Sequence, residues 1–178
     1  MEEKSRSVSL NGLFYGLITG GAMIVLSLIL FLLDLYMNKA VSWISYLVAI
    51  GGMVWGTLDY RKKYCNGFLT YGQAFKSVFM IGLFAGILSS IYLYFFIQFI
   101  HPGFINELLD QARANILLSN PNMTDEQIEQ AVSMSSKFMS PVMMVVWGLV
   151  TYAVMSAIAG LIIAIFLKKE DPSLKSTI

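Results

Sequence analysis

Four long apolar stretches dominate this sequence, and a charged side chain enters only one of them, Lys76 near the start of the third. They cover residues of about 10–33, 41–58, 74–100 and 141–167. A helix rises ~1.5 Å per residue, so about 20 apolar residues cross a hydrocarbon core of ~30 Å. Each stretch is close to that length. Hydrophobic residues make up 57% of the chain and charged residues 13%. Soluble domains run at roughly 45–50% and about 25%. The expected fold is therefore all-α: an integral membrane four-helix bundle forming a single domain over residues 1–178. The first stretch is too long and uncharged for the short apolar core of a signal peptide, and no small-residue cleavage motif ends it, so it reads as a retained helix.

The connections differ in kind. Asp34, Tyr36, Asn38 and Lys39 make a short polar link, which makes the first two spans an antiparallel hairpin. Residues 59–76 form a polar, basic stretch read as a loop, with Arg61, Lys62, Lys63 and Lys76. Asn66-Gly67 is a turn dipeptide, since both residues tolerate positive φ. Thr70-Tyr-Gly-Gln73 fits a capping box and starts a helix near Tyr71. The third connection, about 102–139, is longer and amphipathic. Ile105, Leu108, Leu109, Ala112 and Ile116 recur at helical spacing, with Pro102 suited to the first turn. Ser119-Asn-Pro-Asn122 interrupts that pattern, and Thr124-Asp-Glu-Gln127 caps a second helix. An extra-membrane pair of helices is thus expected between spans three and four. Ser140-Pro141 opens the last span, either as a new helix or as a kink.

Orientation follows from positive charge. Lys4, Arg6, Arg61, Lys62, Lys63, Lys76, Lys168, Lys169 and Lys175 fall on one side of four spans, leaving Lys39, Arg113 and Lys137 on the other. Both termini are then cytoplasmic and the 102–139 pair lies outside, in the periplasm of a Gram-negative cell. Tyr60, Tyr64 and Tyr71 make an inner aromatic belt, with Tyr36, Trp43, Tyr92, Tyr94 and Trp147 toward the outer half.

Small residues recur every four positions: Gly12, Gly16 and Gly20; Gly52 and Gly56; Gly82 and Gly86; and Gly160 between Ser156 and Ala164. In lipid, helices associate by close backbone approach, which small side chains allow. The preferred reading is packing within one chain, ahead of a homodimer seam. Asn11-Gly-Leu-Phe-Tyr-Gly16 echoes Asn66-Gly-Phe-Leu-Thr-Tyr-Gly72, but so short a match in a glycine-rich chain is better explained by chance.

Chemistry-bearing patterns are sparse. No Asp, Glu, Lys, Arg or His falls in the middle of a span, where ion-coupled transporters and pumps place theirs. One histidine and one cysteine, His101 and Cys65, fall on opposite predicted sides and cannot form a dyad. Asp125, Glu126 and Glu129 already suit a helix N-terminus and lack calcium-loop spacing. No phosphate-binding glycine loop occurs, and a net charge of +1 gives no basis for nucleic-acid binding. No catalytic residue, metal ligand or cofactor is expected. Arg61, Lys62, Lys63 and Lys76 read first as topology determinants touching anionic lipid, and second as a contact for a partner. Met134, Met139, Met143 and Met144 read as packing residues before they read as an adaptable face.

Tyr60-Arg61, Asn66-Gly67, Tyr71-Gly-Gln-Ala-Phe-Lys76, the Ile100-His-Pro102 exit and Met123-Thr-Asp-Glu-Gln-Ile-Glu129 resemble the pattern of an uncharacterised bacterial membrane family, domain of unknown function 4199. The resemblance covers nearly the whole chain. It implies four spans and no reaction.

The expected function is that of a non-catalytic inner-membrane scaffold or accessory subunit of an envelope complex. Its partners would be membrane lipids and a membrane or periplasmic protein. The alternative is a small transporter or channel-like protein working as a homo-oligomer. The topology is checked directly. Periplasm-active reporters fused after Asn38 and after Asn120 are expected to be active, and a fusion after Asn66 inactive; cytoplasmic behaviour at the first two positions overturns the assignment.

Overall fold

The computed structural model describes residues 7–169. Lys4, Arg6 and Lys175 of the charge assignment lie outside that range, as does the tail after Lys169. The described residues form six α-helices: α1 Val8–Leu32, α2 Lys39–Tyr64, α3 Tyr71–Phe95 continued by a π-turn Phe96–Ile100, α4 Phe104–Ser119, α5 Asp125–Phe138 and α6 Pro141–Leu167. Among the described residues the only extended pairing is an isolated antiparallel bridge between Leu69 and Lys169. Three of the helices, Val8–Leu32, Tyr71–Ile100 and Pro141–Leu167, are long and apolar enough to cross a membrane.

Several helix ends follow from local chemistry. Ser7 caps α1 by accepting the Leu10 N–H at 3.2 Å. Thr70 and Gln73 exchange the two bonds of a capping box, at 3.3 and 3.1 Å. Thr124 and Gln127 do the same for α5. Ser140 Oγ accepts from Met143 N–H, and Pro141 is the first residue of a separate helix, where its missing N–H costs nothing. Pro102 lies in the turn before α4 rather than in its first turn, and the Phe104 N–H returns to the His101 carbonyl at 3.0 Å.

The basic stretch after residue 58 is not a loop at its start. α2 continues through Arg61, Lys62 and Lys63 to Tyr64. Cations suit a helix C-terminus, where unpaired carbonyls point outward. Asp59 and Lys63 add an i,i+4 ion pair at 3.0 Å in the favourable acid-first order. The chain turns only at Asn66 (φ 49°) and Gly67 (φ 83°). The Asn-Gly pair at positions 11 and 12 is, by contrast, buried inside α1, so the two similar sequence stretches are not structural equivalents.

The described residues divide into two compact units, 7–89 with 149–169, and 90–148. In the first unit, α1 presents two adjacent faces at four-residue spacing. Asn11, Tyr15 and Thr19 face α2. Asn11 Nδ2 donates to the Gly56 carbonyl at 3.2 Å, the Tyr15 ring covers Gly56, and Thr19 covers Gly52. One position on, Gly12, Gly16 and Gly20 face Met80, Phe84 and Leu88 of α3. Ascending numbers on both partners make α1 parallel to α3, whereas the α1–α2 pairing is antiparallel. Gly82 and Gly86 of α3 meet Ser156 and Tyr152 of α6, and Gly160 of α6 meets Phe75 of α3, an antiparallel packing. Tyr15, Met53, Val78 and Ile81 form the core, with Ala159 and Ile163 against it. Thr57 Oγ1 donates to Ser77 Oγ at 3.0 Å inside that packing.

In the second unit, α4 and α5 pair with Ile128 as the buried residue of α5. His101 Nε2 lies 2.9 Å from Glu107 Oε1, and the His101 and Phe104 rings both pack near Phe96.

The glycine contacts make a sharp test. A Cβ at Gly16 would stand 2.5 Å from Phe84 Cβ, whereas nothing lies within 4 Å of one at Gly21. Gly16→Leu is expected to lower unfolding stability in detergent by about 2–3 kcal/mol through overpacking. Gly21→Leu should stay within about 0.5 kcal/mol of the parent. Equal effects at both positions would show that α1 does not pack on α3 through this face.

Candidate functional site

The residues with the most polar chemistry gather at one end of the first unit, where α2 ends, α3 begins and α6 ends. The construction starts with Tyr15. Because Gly56 has no side chain, the Tyr15 ring crosses α2 there. Its hydroxyl hydrogen-bonds the Asp59 carboxylate, one turn further along α2. The Asp59 side chain is 20% exposed and also holds Lys63. Its burial would raise the carboxyl pKa. The bonds from Tyr15 and Lys63, with the charges of Lys63 and Lys62, outweigh that effect and leave it below the ordinary value.

Arg61 points another way. Its Nη1 donates to the Leu167 carbonyl at 3.0 Å, satisfying one of the orphan acceptors at the end of α6. The chain after α6 is then held by two backbone bonds: Leu69 N–H to the Lys169 carbonyl at 2.7 Å, and Lys169 N–H to the Leu69 carbonyl at 2.8 Å. Lys169 Nζ also stands 5.7 Å from the centre of the Phe68 ring. Beneath this clamp Tyr60, Leu69, Ala74 and Ala164 are buried together. Burial pushes up both the Tyr60 hydroxyl and the neighbouring Cys65 thiol, so Cys65 is a weaker nucleophile than a free cysteine.

Of the four cations expected to act here, Lys63 and Arg61 are engaged within the protein. Lys62 and Lys76 are exposed, and Lys168 and Lys169 join them at the same end of the unit. Of the eight stripe glycines only Gly56, under the Tyr15 ring, borders this site. Gly12, Gly16 and Gly20 contact α3, Gly52 and Gly56 contact α1, Gly82 and Gly86 contact α6, and Gly160 contacts α3. Sequence reading did not find Tyr15, Leu69 or Leu167 as partners. Nothing local in those residues announces a contact from Tyr15 to Asp59, or from Leu167 to Arg61. The Asp59–Lys63 spacing alone was a readable signal.

Among the described residues, no group of three or more His, Cys, Asp or Glu side chains stands close enough to hold a metal ion. The arrangement locks helix ends together and leaves exposed cations beside an apolar bundle.

The fold and this site define an all-helical protein of membrane-like composition with a clamped, basic end. The chain belongs to the family described as protein of unknown function (DUF4199), whose model matches residues 14–169. No curated protein and no solved structure matches it.

The Asp59 node has a defined pH signature. A carboxyl pKa lowered by folding contributes stability above its unfolded value, and this is lost as pH falls through the folded value, below 3.8. Asp59→Asn is expected to cost about 0.5–1 kcal/mol near neutral pH. In thermal melts the gap between variant and parent should hold constant above about pH 5 and close below about pH 4. A gap that widens on acidification would contradict the assigned network.

Proposed function

We propose that this chain is a four-span protein of the bacterial inner membrane, with both termini cytoplasmic. It works without catalysis, as a scaffold or accessory subunit. α2 is the fourth crossing: its residues 41–58 carry no charge, and at 26 residues it spans ~39 Å. The alternating directions of α1, α2, α3 and α6 suit a bundle that crosses back and forth. The exposed cations Lys62, Lys76, Lys168 and Lys169 suit the anionic cytoplasmic leaflet, at about 1 kcal/mol each near the surface.

The observation that carries the accessory role is the α4–α5 unit. It is capped and amphipathic, yet it leaves Leu117, Leu118, Met134 and Phe138 exposed. Met134 and Phe138 lie one turn apart on one face of α5, bordered by Glu126, Glu129, Gln130 and Lys137. An apolar pair rimmed by charge is the anatomy of a small protein contact. A homo-oligomeric transporter assembled through the glycine stripes is disfavoured, because neighbouring helices of the same chain already occupy them.

Photocrosslinking in intact envelopes tests this. A photoreactive residue at Met134 or Phe138 is expected to give one discrete adduct with a different protein, absent from the exposed α4 position Asn115. Self-adducts alone, together with solute movement by the purified protein in liposomes, would overturn the reading.

A further inference from the structure

Between α1, α2 and α6 of the first unit lies a groove of about 290 Å³. Met23 comes from α1, Tyr46, Ala49 and Met53 from α2, and Tyr152 and Met155 from α6. No carboxylate, ammonium, guanidinium or imidazole group lines it. Tyr46, Ile50 and Met155 are half-exposed, so the groove opens sideways from the bundle.

Its lining is graded. α2 and α6 run in the same direction, since Arg61 near the end of one bonds the Leu167 carbonyl at the end of the other. Along both helices the hydroxyl-bearing residues come first, Ser45 and Tyr46 on α2 and Thr151 and Tyr152 on α6. Apolar residues follow toward the basic end, Ala49 and Met53 on α2, Met155 and Ala159 on α6. Ser156 does not break the gradient. It is fully buried and its hydroxyl donates to the Tyr152 carbonyl at 2.5 Å. From Tyr46 to Met53 the groove extends ~10 Å along α2. The groove exists because Ala49 and Ala159 are small, and Met23, Met53 and Met155 give it walls that adjust to a flexible occupant.

We propose that this groove holds one acyl chain of a membrane phospholipid, its ester carbonyl accepting from the hydroxyls of Tyr46 and Thr151. The inference rests on the reading of α1, α2 and α6 as membrane spans. In hydrocarbon, an unfilled apolar groove forfeits dispersion contacts along its whole lining, and a lipid chain is the occupant at hand. The uncharged mouth selects for a neutral oxygen acceptor and gives a phosphate no cation at that level. Ester carbonyls of phospholipid meet both conditions.

The test uses the full chain in vesicles of phosphatidylethanolamine and phosphatidylglycerol containing a phospholipid with a diazirine midway along one acyl chain. After irradiation, peptides covering residues 49–53 and 155–159 are expected to carry about fivefold more label per residue than the open α6 positions Val150 and Val154. Ala49→Phe fills the groove and should reduce that excess to the level of the open face. Ala159→Met serves the same purpose should the first variant fold poorly. Tyr46→Phe, which removes one hydroxyl, should lower the groove label about threefold. Equal labelling of groove and open face would overturn the proposal, leaving only annular lipid. Displacement of the label by a membrane-soluble quinone would overturn the choice of occupant. If none of α1, α2 and α6 is labelled and the chain is released by alkaline carbonate, the membrane reading itself falls, not this site alone.

Discussion

The approach of α1 to α3 at Gly12, Gly16 and Gly20 sets the geometry on which the rest of the first unit depends. In a bilayer, burying leucine against leucine gains little over leucine against lipid, so helices hold together by contact density and hydrogen bonds. Gly16 brings the α1 backbone to within van der Waals reach of Phe84 and Ala85. Once α1 is fixed there, the next face of the same helix directs Asn11, Tyr15 and Thr19 onto α2. The same device recurs where α3 meets α6 through Gly82, Gly86 and Gly160. Polar side chains then add specificity inside the contact, as Asn11 does on the Gly56 carbonyl and Thr57 on Ser77.

The basic end depends on that packing in turn. Tyr15 reaches Asp59 only because Gly56 lets its ring pass. Arg61 reaches the Leu167 carbonyl only because α2 and α6 run side by side in the same direction. The basic cluster at the end of α2 therefore also closes the bundle. Its members divide the work: Arg61 reaches across to α6 and Lys63 pairs with Asp59 on its own helix, while Lys62, Lys76, Lys168 and Lys169 stay exposed.

Much of this was legible in residue order. Thr70 and Thr124 announced helix starts because capping chemistry is local, and Asn66-Gly67 announced its turn because positive φ is local too. The end of α2 was misread, since a run of cations looks like a loop until the helix dipole and the Asp59–Lys63 pair are weighed together. The turn position of Pro102 was likewise a small misjudgement of an end signal. The clamp between Leu69 and Lys169 was not legible at all. It pairs backbones a hundred residues apart, and neither residue type carries a signal for that.

By itself the sequence determined the all-helical class, the capped helix starts at Thr70 and Thr124, the clustering of cations after residue 58 and the small-residue stripes. These depend on composition and on spacing within one helix. Only the tertiary structure decided which stripe meets which helix, that Tyr15 serves Asp59, that Arg61 seals α6, and that a graded groove opens between α1, α2 and α6. A four-residue stripe states that a helix can be approached closely. It does not name the neighbour, because that depends on how several such faces are satisfied at once.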